Sequence, residues 1–433
     1  MKNLVAFILI GLPFLVFTAQ AQPVDYTKQW GPALKHDKQA DRFLSTIGFD
    51  DAGVYLAKYN SDTDMISVEL VSPDLQLTSS GPLPMKDGNG KARWYEFSVY
   101  INGQIYLFSS WADKATRTRT LYAQLYNKQT RKLEPEISVA SIDFREGTRS
   151  NAGSFSYRLS IDEKRILIFA KLPESLTEPE RFELIVADET MKLQWNKQVA
   201  LPFKDQLFLW ESMRISNEGD VYLLGVAYTD MRKNKRGGKP NYSYELFRYS
   251  ANAANETHKT LSLNNQFITD LQLGILPNNN VVCAGFYSAL GSFATQGTYF
   301  VTLDARSNNI LKSEQRAFTL DMISDGLTDK QTERVANRVA KDKAVALPSY
   351  KIDWLLLHDD GDVAMVCEDY NVVEVTRDKV ILAEHRAGQI FVVRFSAQGD
   401  IRWTKKINKY QSTTSNATYL SYGFGRVGND LVF

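Results

Sequence analysis

One pattern of polar and apolar positions recurs along the chain. A polar turn of Asp, Asn or Gly is followed by a short apolar segment, which often ends in Gly or another small residue. The clearest copy is NEGDVYLLG, residues 217–225. Seven copies have apolar segments that start near residues 53, 104, 165, 220, 280, 362 and 430, so successive copies are 51–82 residues apart. This long period with strand signals predicts propeller blades rather than the shorter, more regular repeats of a solenoid.

A second pattern, late in the repeat, predicts a hairpin of two further strands. Residues 390–407 contain two apolar segments separated by a polar turn, and residues 182–199 and 299–313 have the same arrangement. Each repeat is therefore predicted to contain four strands. Trp195 and Trp403 occupy the same place in their repeats. This position favours anchors that pack between blades over a role in stacking against a ligand.

These patterns predict an all-β fold, a β-propeller of seven blades that spans residues 22–433, with one blade split between the chain ends. Residues 29–34 resemble the outer strand of a blade, whereas the seventh copy of the repeat supplies only a first strand. Strands from both chain ends often close one blade of a propeller, which removes exposed sheet edges. Here two strands of the split blade are missing from the pattern, so we expect it to be incomplete.

A helical insertion is predicted near residues 325–345. Thr328 and Gln331 form a helix-start signal, and Val335 and Val339 recur at helical spacing. The insertion accounts for the longest spacing between repeats, 82 residues. Two roles remain open for it: a lid or docking element on one propeller face, or an insertion packed against the rim.

The first residues predict a signal peptide over residues 1–21. Lys2 is followed by an apolar stretch over residues 4–16 and by Ala19 and Ala21 of an A-x-A cleavage site. The stretch is shorter than the ~18–20 apolar residues of a spanning helix, and the alternative is a buried N-terminal strand. We therefore expect an exported protein that does not span the membrane, in the periplasm, at the cell surface or secreted. An outer-membrane barrel ending in Phe433 is the rival fold, but the predicted strands are mostly too short for it.

Composition excludes several other classes. Lys and Arg total 51 against 50 Asp and Glu, a net charge of +1, which argues against a nucleic-acid binder. Only 4 His and 2 Cys occur, and no metal or cofactor motif is present, so no cofactor is expected. Cys283 and Cys367 are predicted to be two buried thiols rather than a disulfide. Asp359, Asp360 and Asp362 lack the closing Glu of a calcium loop and are predicted to stabilise a turn.

Three segments resemble uncharacterised exported β-propeller-like proteins of Bacteroidetes-type bacteria. They are KRGGKPNY at residues 235–242, LHDDGD at residues 357–362 and IRWTKKI at residues 401–407. The resemblance extends over most of residues 22–433. It implies an exported propeller and carries over no catalytic residue. In that group a few more strands would follow the last copy of the repeat.

The strongest charge cluster along the chain is predicted to contact an anionic partner. It lies in a loop between two strands of the fourth blade, and the alternative is a solvated loop that discourages edge pairing. Candidate partners are lipopolysaccharide, an acidic glycan and an acidic envelope protein. The cluster consists of Arg232, Lys233, Lys235, Arg236 and Lys239.

Binding or scaffolding in the cell envelope is therefore the expected function. The alternative is a glycan hydrolase or lyase with its site in the central channel. A hydrolase would need two carboxylates about 5–10 Å apart there.

Overall fold

The strands form sheets in the order in which they occur along the chain. In the described part of the chain, six antiparallel sheets each contain four strands in meander order, which is the architecture of an all-β propeller with six blades. The computed structural model describes residues 41–63, 65–87, 89–145, 151–173, 177–230, 233–263, 266–288, 295–341, 345, 347–348, 350–377, 380–415, 417, 420–427 and 430–433.

The first three blades follow one another without a long insertion. Blade 1 is β1 (Asp41–Asp50), β2 (Gly53–Asn60), β3 (Met65–Val71) and β4 (Leu77–Ser79), with β5 (Leu83–Pro84) also paired to β3; blade 2 is β6 (Trp94–Ile101), β7 (Gln104–Asp113), β8 (Thr118–Asn127) and β10 (Ile137–Asp143), with β9 (Lys132–Leu133) paired to β8; blade 3 is β11 (Ser154–Leu159), β12 (Arg165–Lys171), β13 (Pro179–Asp188) and β14 (Leu193–Lys204).

The later blades carry additional elements. Blade 4 is β15 (Phe208–Ile215), β16 (Val221–Tyr228), β19 (Tyr242–Tyr249) and β20 (Thr257–Leu261), and a small hairpin of β17 (Lys235–Arg236) and β18 (Lys239–Pro240) projects from it; blade 5 is β21 (Phe267–Ile275), β22 (Val281–Ser288), β23 (Gly297–Leu303) and β24 (Ile310–Ala317); blade 6 is β25 (Lys351–Leu357), β26 (Val363–Arg377), β27 (Val380–Phe395) and β28 (Ile401–Ile407), with β29 (Gln411–Thr413) paired to β27; β30 (Gly425–Val427) and β31 (Asp430–Val432) form a separate hairpin.

The recurring pattern corresponds to the turn between the first and second strands of a blade. In blade 4 the Ser216 N–H donates to the Asp220 carbonyl at 2.8 Å, and the Gly219 N–H donates to the Ser216 carbonyl at 3.0 Å. Gly219 has a φ of +90°, a left-handed conformation that Gly and Asn adopt at low cost. The same two hydrogen bonds close residues 276–280 and 358–362, where Asn279 and Gly361 are left-handed.

The meander topology places the turns at one end of the propeller, here called the turn face. The Asn279 side chain of blade 5 donates to Glu218 of blade 4 at 3.1 Å, so neighbouring turns meet there. The loops between second and third strands, and the connections between blades, lie at the opposite end, here called the loop face. The small hairpin β17–β18 therefore projects from the loop face.

Small residues on second strands have a physical cause. Several first strands contain a β-bulge, and the bulged backbone lies tightly against the second strand. A Cβ on Gly285 would lie 2.0 Å from the Asp270 carbonyl oxygen, and one on Gly225 would lie 2.8 Å from the Leu209 carbonyl oxygen. These two positions accept only glycine without a backbone shift.

Replacing Gly285 with alanine should therefore destabilise the protein. The added methyl group meets backbone rather than a flexible side chain, and overpacking of this kind costs about 1–3 kcal/mol. Urea denaturation measures the free energy of unfolding. Gly423→Ala is the matched control, since a Cβ there meets no atom within 4 Å. Equal stability of the two variants would contradict the tight approach of β21 and β22.

The hydrophobic core is divided among the interfaces between neighbouring blades. Each of five clusters takes its buried side chains mainly from two successive blades. A further cluster covers the far side of blade 6, where Tyr422, Phe424 and Leu431 pack against Val366 and Val392. The hairpin β30–β31 thus lies beyond blade 6, at the place where the sequence predicts a seventh blade.

The predicted helical insertion is present, between blades 5 and 6. It contains α1 (Leu320–Ser324) and α2 (Asp329–Val339), so it starts slightly before residue 325. The Thr328 N–H donates to Gln331 Oε1 at 2.9 Å, as the helix-start signal predicts. Ile323 and Val335 pack against the blade 5–6 cluster, and the Lys406 Nζ donates to the Ile323 carbonyl at 2.8 Å. The interpretation as an insertion packed on the propeller accounts for these contacts.

Of the two tryptophan predictions, one is confirmed and one is wrong. Trp195 packs into the blade 3–4 cluster, and its Nε1 donates to the Gly219 carbonyl of blade 4 at 3.1 Å. Trp403 is 42% exposed. The predicted signal peptide and residues 29–34 lie outside the described residues. The same holds for residues 428–429, which lie between β30 and β31 in the sequence.

The two cysteines are buried thiols without a disulfide, as predicted. Cys283 and Cys367 lie on the second strands of blades 5 and 6. Burial raises the pKa of both thiols. The described residues include no helix of the length and apolar character that a membrane crossing requires.

Candidate functional site

The first strands of successive blades contact one another in order, so they line the central channel of the propeller. Bulges interrupt these strands at similar places. The extra residue of the bulge is Glu96 in β6, Glu211 in β15 and Asp353 in β25. β-Bulges often re-aim a side chain next to a functional site, and these three carry a carboxylate, whereas the bulge of β21 carries Thr269. The channel wall is therefore the candidate site.

Glu96 is neutralised within the protein. Its Oε1 accepts from Arg119 Nη2 at 2.6 Å, and the Ser110 hydroxyl also donates to it. The Arg119 Nη1 donates to the Gly153 carbonyl at 2.5 Å, which ties blade 2 to blade 3. This carboxylate is therefore a structural link between blades.

Asp270 of β21 also joins two blades. Its Oδ2 accepts the Ile352 N–H of β25 at 2.9 Å. Burial raises the pKa of Asp270 to about 6, although this hydrogen bond, that of Leu271 and the charge of Lys351 lower it. The carboxylate thus holds the inner strands of blades 5 and 6 together at a site where ionisation is costly.

Glu211 differs from both because its carboxylate links no strands or blades within the residues that the structure describes. The side chain is half-buried, and no group in the described part of the chain hydrogen-bonds to it. Burial raises the pKa of Glu211 to about 7, and the negative charge of Asp270 raises it further, while Lys351 opposes both. A carboxyl group with this pKa is able to gain and lose a proton near neutral pH.

Glu211→Gln should change the dependence of stability on pH. Because the pKa in the folded state lies above its ordinary value of 4.5, wild-type stability falls as the pH rises from about 4.5 to about 7. The variant lacks this loss and should be more stable by about 1–2 kcal/mol at pH 8, with little difference at pH 4. Urea denaturation at the two pH values measures this. A difference that is the same at both would show that Glu211 titrates normally.

Asp353 lies on β25, the inner strand of blade 6, toward the loop face. It accepts from the Tyr422 hydroxyl at 2.9 Å, and burial raises the pKa of its carboxyl group. Nearby, Glu368 pairs with Lys409 at 2.5 Å and accepts from the Ser421 hydroxyl at 2.9 Å. These contacts tie the segment that follows blade 6 to β25 and β26 of that blade.

The predicted cationic loop lies between β16 and β19 of blade 4 and is exposed, as expected. Asn241, 3% exposed, holds its base: its Nδ2 donates to Asp230 Oδ1 at 3.1 Å and to the Lys233 carbonyl at 3.0 Å. Arg236 pairs with Asp230 Oδ2 at 2.6 Å. Lys233, Lys235 and Lys239 form no ion pair with any residue that the structure describes, and Arg232 lies outside the described residues.

The acidic turn is structural, as predicted. Asp362 Oδ2 accepts from Arg394 Nε at 3.0 Å and forms an ion pair with Arg402 Nε at 2.7 Å, and Asp360 pairs with Arg394 at 3.2 Å. The carboxylates thus face guanidinium groups rather than one another. Within the described ranges, no group of three or more His, Cys, Asp or Glu side chains has the arrangement of a metal site.

Sequence analysis missed the channel carboxylates. The available signal was a single acidic residue within an otherwise apolar first strand, as in FLWESMRI (Phe208–Ile215) and FITDLQLGI (Phe267–Ile275). Neither strand shows from its own sequence that its edge faces a channel. The structure does not bring the cationic hairpin and Glu211 into one site, since no contact joins them within the described residues.

No family model and no curated protein match this chain. Among solved structures, the chain is similar to the β-propeller domain of the Trilobed protease from Pyrococcus furiosus, with 6% identity over 89% of this chain and 99% of that chain and a TM-score of 0.35. It is also similar to the GH93 α-L-arabinofuranosidase of Fusarium graminearum, with 11% identity over 78% of this chain and 90% of that chain and a TM-score of 0.34. An apocarotenoid oxygenase of Synechocystis matches with 10% identity over 83% and 72% and a TM-score of 0.34. Likenesses this distant carry no argument about activity.

Proposed function

We propose that this propeller is an exported binding module of the cell envelope that contacts an acidic glycan through its loop face. The observation that carries the proposal is the exposed cationic hairpin β17–β18. Lys233, Lys235 and Lys239 are exposed there on a base fixed by Asn241, and only Arg236 has a carboxylate partner in the described part of the chain. Cations that are held in place without counter-ions attract an anionic surface.

Three substitutions on the hairpin test this function. Lys233→Gln, Lys235→Gln and Lys239→Gln together should weaken binding to lipopolysaccharide micelles by about 100- to 200-fold at low salt, at about 1 kcal/mol per cation. Added salt should weaken wild-type binding as well. Neutral dextran is the uncharged comparison, and it should not bind.

The matched control removes three exposed lysines from the opposite face, Lys132, Lys164 and Lys192. It makes the same change in net charge and should retain binding. Equal weakening of both triple variants would reduce the effect to net charge and contradict the hairpin as the contact. Binding of an acidic protein from the cell envelope, without binding of the glycan, would contradict the proposal that the partner is a glycan.

A second candidate function, a glycan-active enzyme, is favoured by Glu211 and Asp270. Both carboxyl groups lie on adjacent inner strands, and the pKa of Glu211 is raised to about 7. Hydrolysis of a glycosidic bond needs one carboxylic acid with a raised pKa and a second, ionised carboxylate. Incubation with a glycan library tests it. Turnover that Glu211→Gln abolishes, while the hairpin variant keeps it, would establish the enzyme; absence of turnover with retained binding favours the binding module.

We also propose that β30 and β31 are the first two strands of a seventh blade. Their turn is the seventh copy of the recurring pattern, and Leu431 packs on the far side of blade 6. Leu431→Asp should expose this cluster, increase the binding of a hydrophobic dye and lower the melting temperature. An unchanged melting temperature and dye binding would contradict this assignment.

A further inference from the structure

Two arginines occupy equivalent positions in neighbouring blades. Arg158 is the last residue but one of β11, and Arg214 is the last residue but one of β15. Both strands line the channel and contact each other. Because each arginine directly precedes the end of its strand, the two guanidinium groups lie at the same height, near the turn face.

The two guanidinium groups are near enough for the charge of Arg158 to act on Arg214, and neither has a carboxylate partner among the residues that the structure describes. Burial lowers the pKa of Arg214 to about 10, and the positive charge of Arg158 is the second cause. One Nη1 of each donates to the carbonyl of the preceding residue, at 2.6 Å for Arg158 and 2.8 Å for Arg214. Across the described ranges neither forms an ion pair with a carboxylate. The remaining N–H groups are available to a ligand.

Other arginines of this propeller show the usual arrangement. Arg119, Arg248 and Arg394 each have a carboxylate within 3.0 Å. Two like charges placed side by side without a carboxylate partner reduce the stability of the folded protein. An anion bound between them would remove that cost. Such an arrangement is typical of a binding site rather than of a structural link.

A small-molecule site usually has a volume of about 300–1,000 Å³, and a groove of this size lies next to Arg158. The open groove beside β11 has a volume of ≈ 530 Å³ and is lined by Phe97, Phe155, Ser156, Tyr157, Arg158 and Leu159. Arg214 does not line it but lies on β15, which contacts β11. The rings of Phe97 and Tyr157 lie 4.8 Å apart, centroid to centroid, and both line this groove as its aromatic wall. A ring-shaped ligand can pack against this wall while an anionic group reaches the arginines.

We propose that Arg158 and Arg214 bind the carboxylate of an acidic sugar unit whose ring packs against the wall of Phe97 and Tyr157. The planar guanidinium fork matches a carboxylate, and the aromatic wall matches the face of a sugar ring. This site lies toward the turn face of the channel, whereas the cationic hairpin projects from the loop face. It is therefore a separate site and does not depend on the hairpin.

Isothermal titration of the full chain with trigalacturonate, neutral galactotriose and sodium sulfate tests the site. Trigalacturonate should bind, and galactotriose should bind at least about tenfold more weakly because it lacks the carboxylates. The double variant Arg158→Gln and Arg214→Gln should also weaken trigalacturonate binding at least about tenfold. Arg214→Lys keeps the charge without the fork and should give an intermediate affinity.

Folding is checked on the same variants. The double variant should melt at the wild-type temperature or above it, since it removes a repulsion; if it fails to fold, Arg158→Gln alone provides the binding comparison. The triple hairpin variant should bind trigalacturonate as the wild type does, so failure of one site is distinguishable from failure of the other. Absence of trigalacturonate binding, equal affinity for galactotriose, binding of sulfate alone, or unchanged binding in the arginine variants would each overturn the proposal.

Discussion

Arg248→Ala should lower the free energy of unfolding by about 3–5 kcal/mol, since it leaves a buried carboxylate without its partner. Arg248 is 5% exposed, and its Nε and Nη2 donate to Asp220 Oδ2 at 3.1 and 2.6 Å. Its Nη1 donates to the Arg306 carbonyl of blade 5 at 2.6 Å. The substitution therefore removes a charge pair within blade 4 and a link to blade 5 at once. Urea denaturation of the full chain measures the loss.

The molecule supplies a matched control in Arg236→Ala. Arg236 pairs with Asp230 at the same distance, 2.6 Å, but the two side chains are 70% and 40% exposed. An exposed pair contributes at most about 1 kcal/mol, so this variant should be nearly as stable as the wild type. If the free energy of unfolding falls by the same amount in the two variants, burial does not govern the strength of these ion pairs. The double variant Asp220→Asn with Arg248→Met should recover part of the stability, because it removes the unpaired charge.

The blades could be predicted from the sequence because local rules determine them. Asp, Asn and Gly at left-handed positions such as Gly219 and Asn279 define the turns, and the apolar second strands follow directly. The small residues at the ends of the pattern can also be read from the sequence, although they are required by contacts with the neighbouring strand. Gly285 is required by the close approach of Asp270.

The channel site could not be predicted, because its members lie on different blades. Glu211 and Asp270 are 59 residues apart in the sequence, and each is a single charged residue in an apolar strand. A bulge also breaks the alternation between the two faces of the strand, so the sequence does not indicate which way Glu211 points. The repeat also gave one wrong prediction, because contacts with a neighbouring blade are not visible in the pattern of a single blade. Trp195 and Trp403 share a position in the pattern, but Trp195 meets the Gly219 carbonyl and Trp403 is 42% exposed.

The charged groups of the propeller therefore fall into two classes. Asp220, Asp362 and Glu96 are neutralised by arginines and hold strands or blades together. Glu211, Arg158 and Arg214 are in the channel without such partners within the described residues. Groups of the first class contribute to stability, whereas those of the second reduce it in the free protein and are available to a ligand.

Glu180→Gln should stabilise the protein strongly at high pH. Glu180 of β13 is 2% exposed. Burial raises its pKa from 4.5 to about 8, and Asp205 raises it further, whereas Lys171 opposes both. Because the folded-state pKa is raised, wild-type stability falls as the pH rises from about 4.5 to about 8 and stays low above that. Glutamine has the same size and no charge, so the variant should be more stable by about 2–4 kcal/mol at pH 9 and nearly equal to the wild type at pH 4.

Urea denaturation at pH 4, 6 and 9 measures this effect, and Glu183→Gln provides the control. Glu183 lies three residues further along β13, and its carboxylate accepts from Asn196 Nδ2 at 3.1 Å near the surface. Removing its charge should change stability by less than about 1 kcal/mol at each pH, as for other surface substitutions. A gain for Glu180→Gln that is the same at pH 4 and pH 9 would mean that Glu180 does not titrate between them. A loss at pH 9 would mean that the ionised carboxylate is held by partners that outweigh its burial.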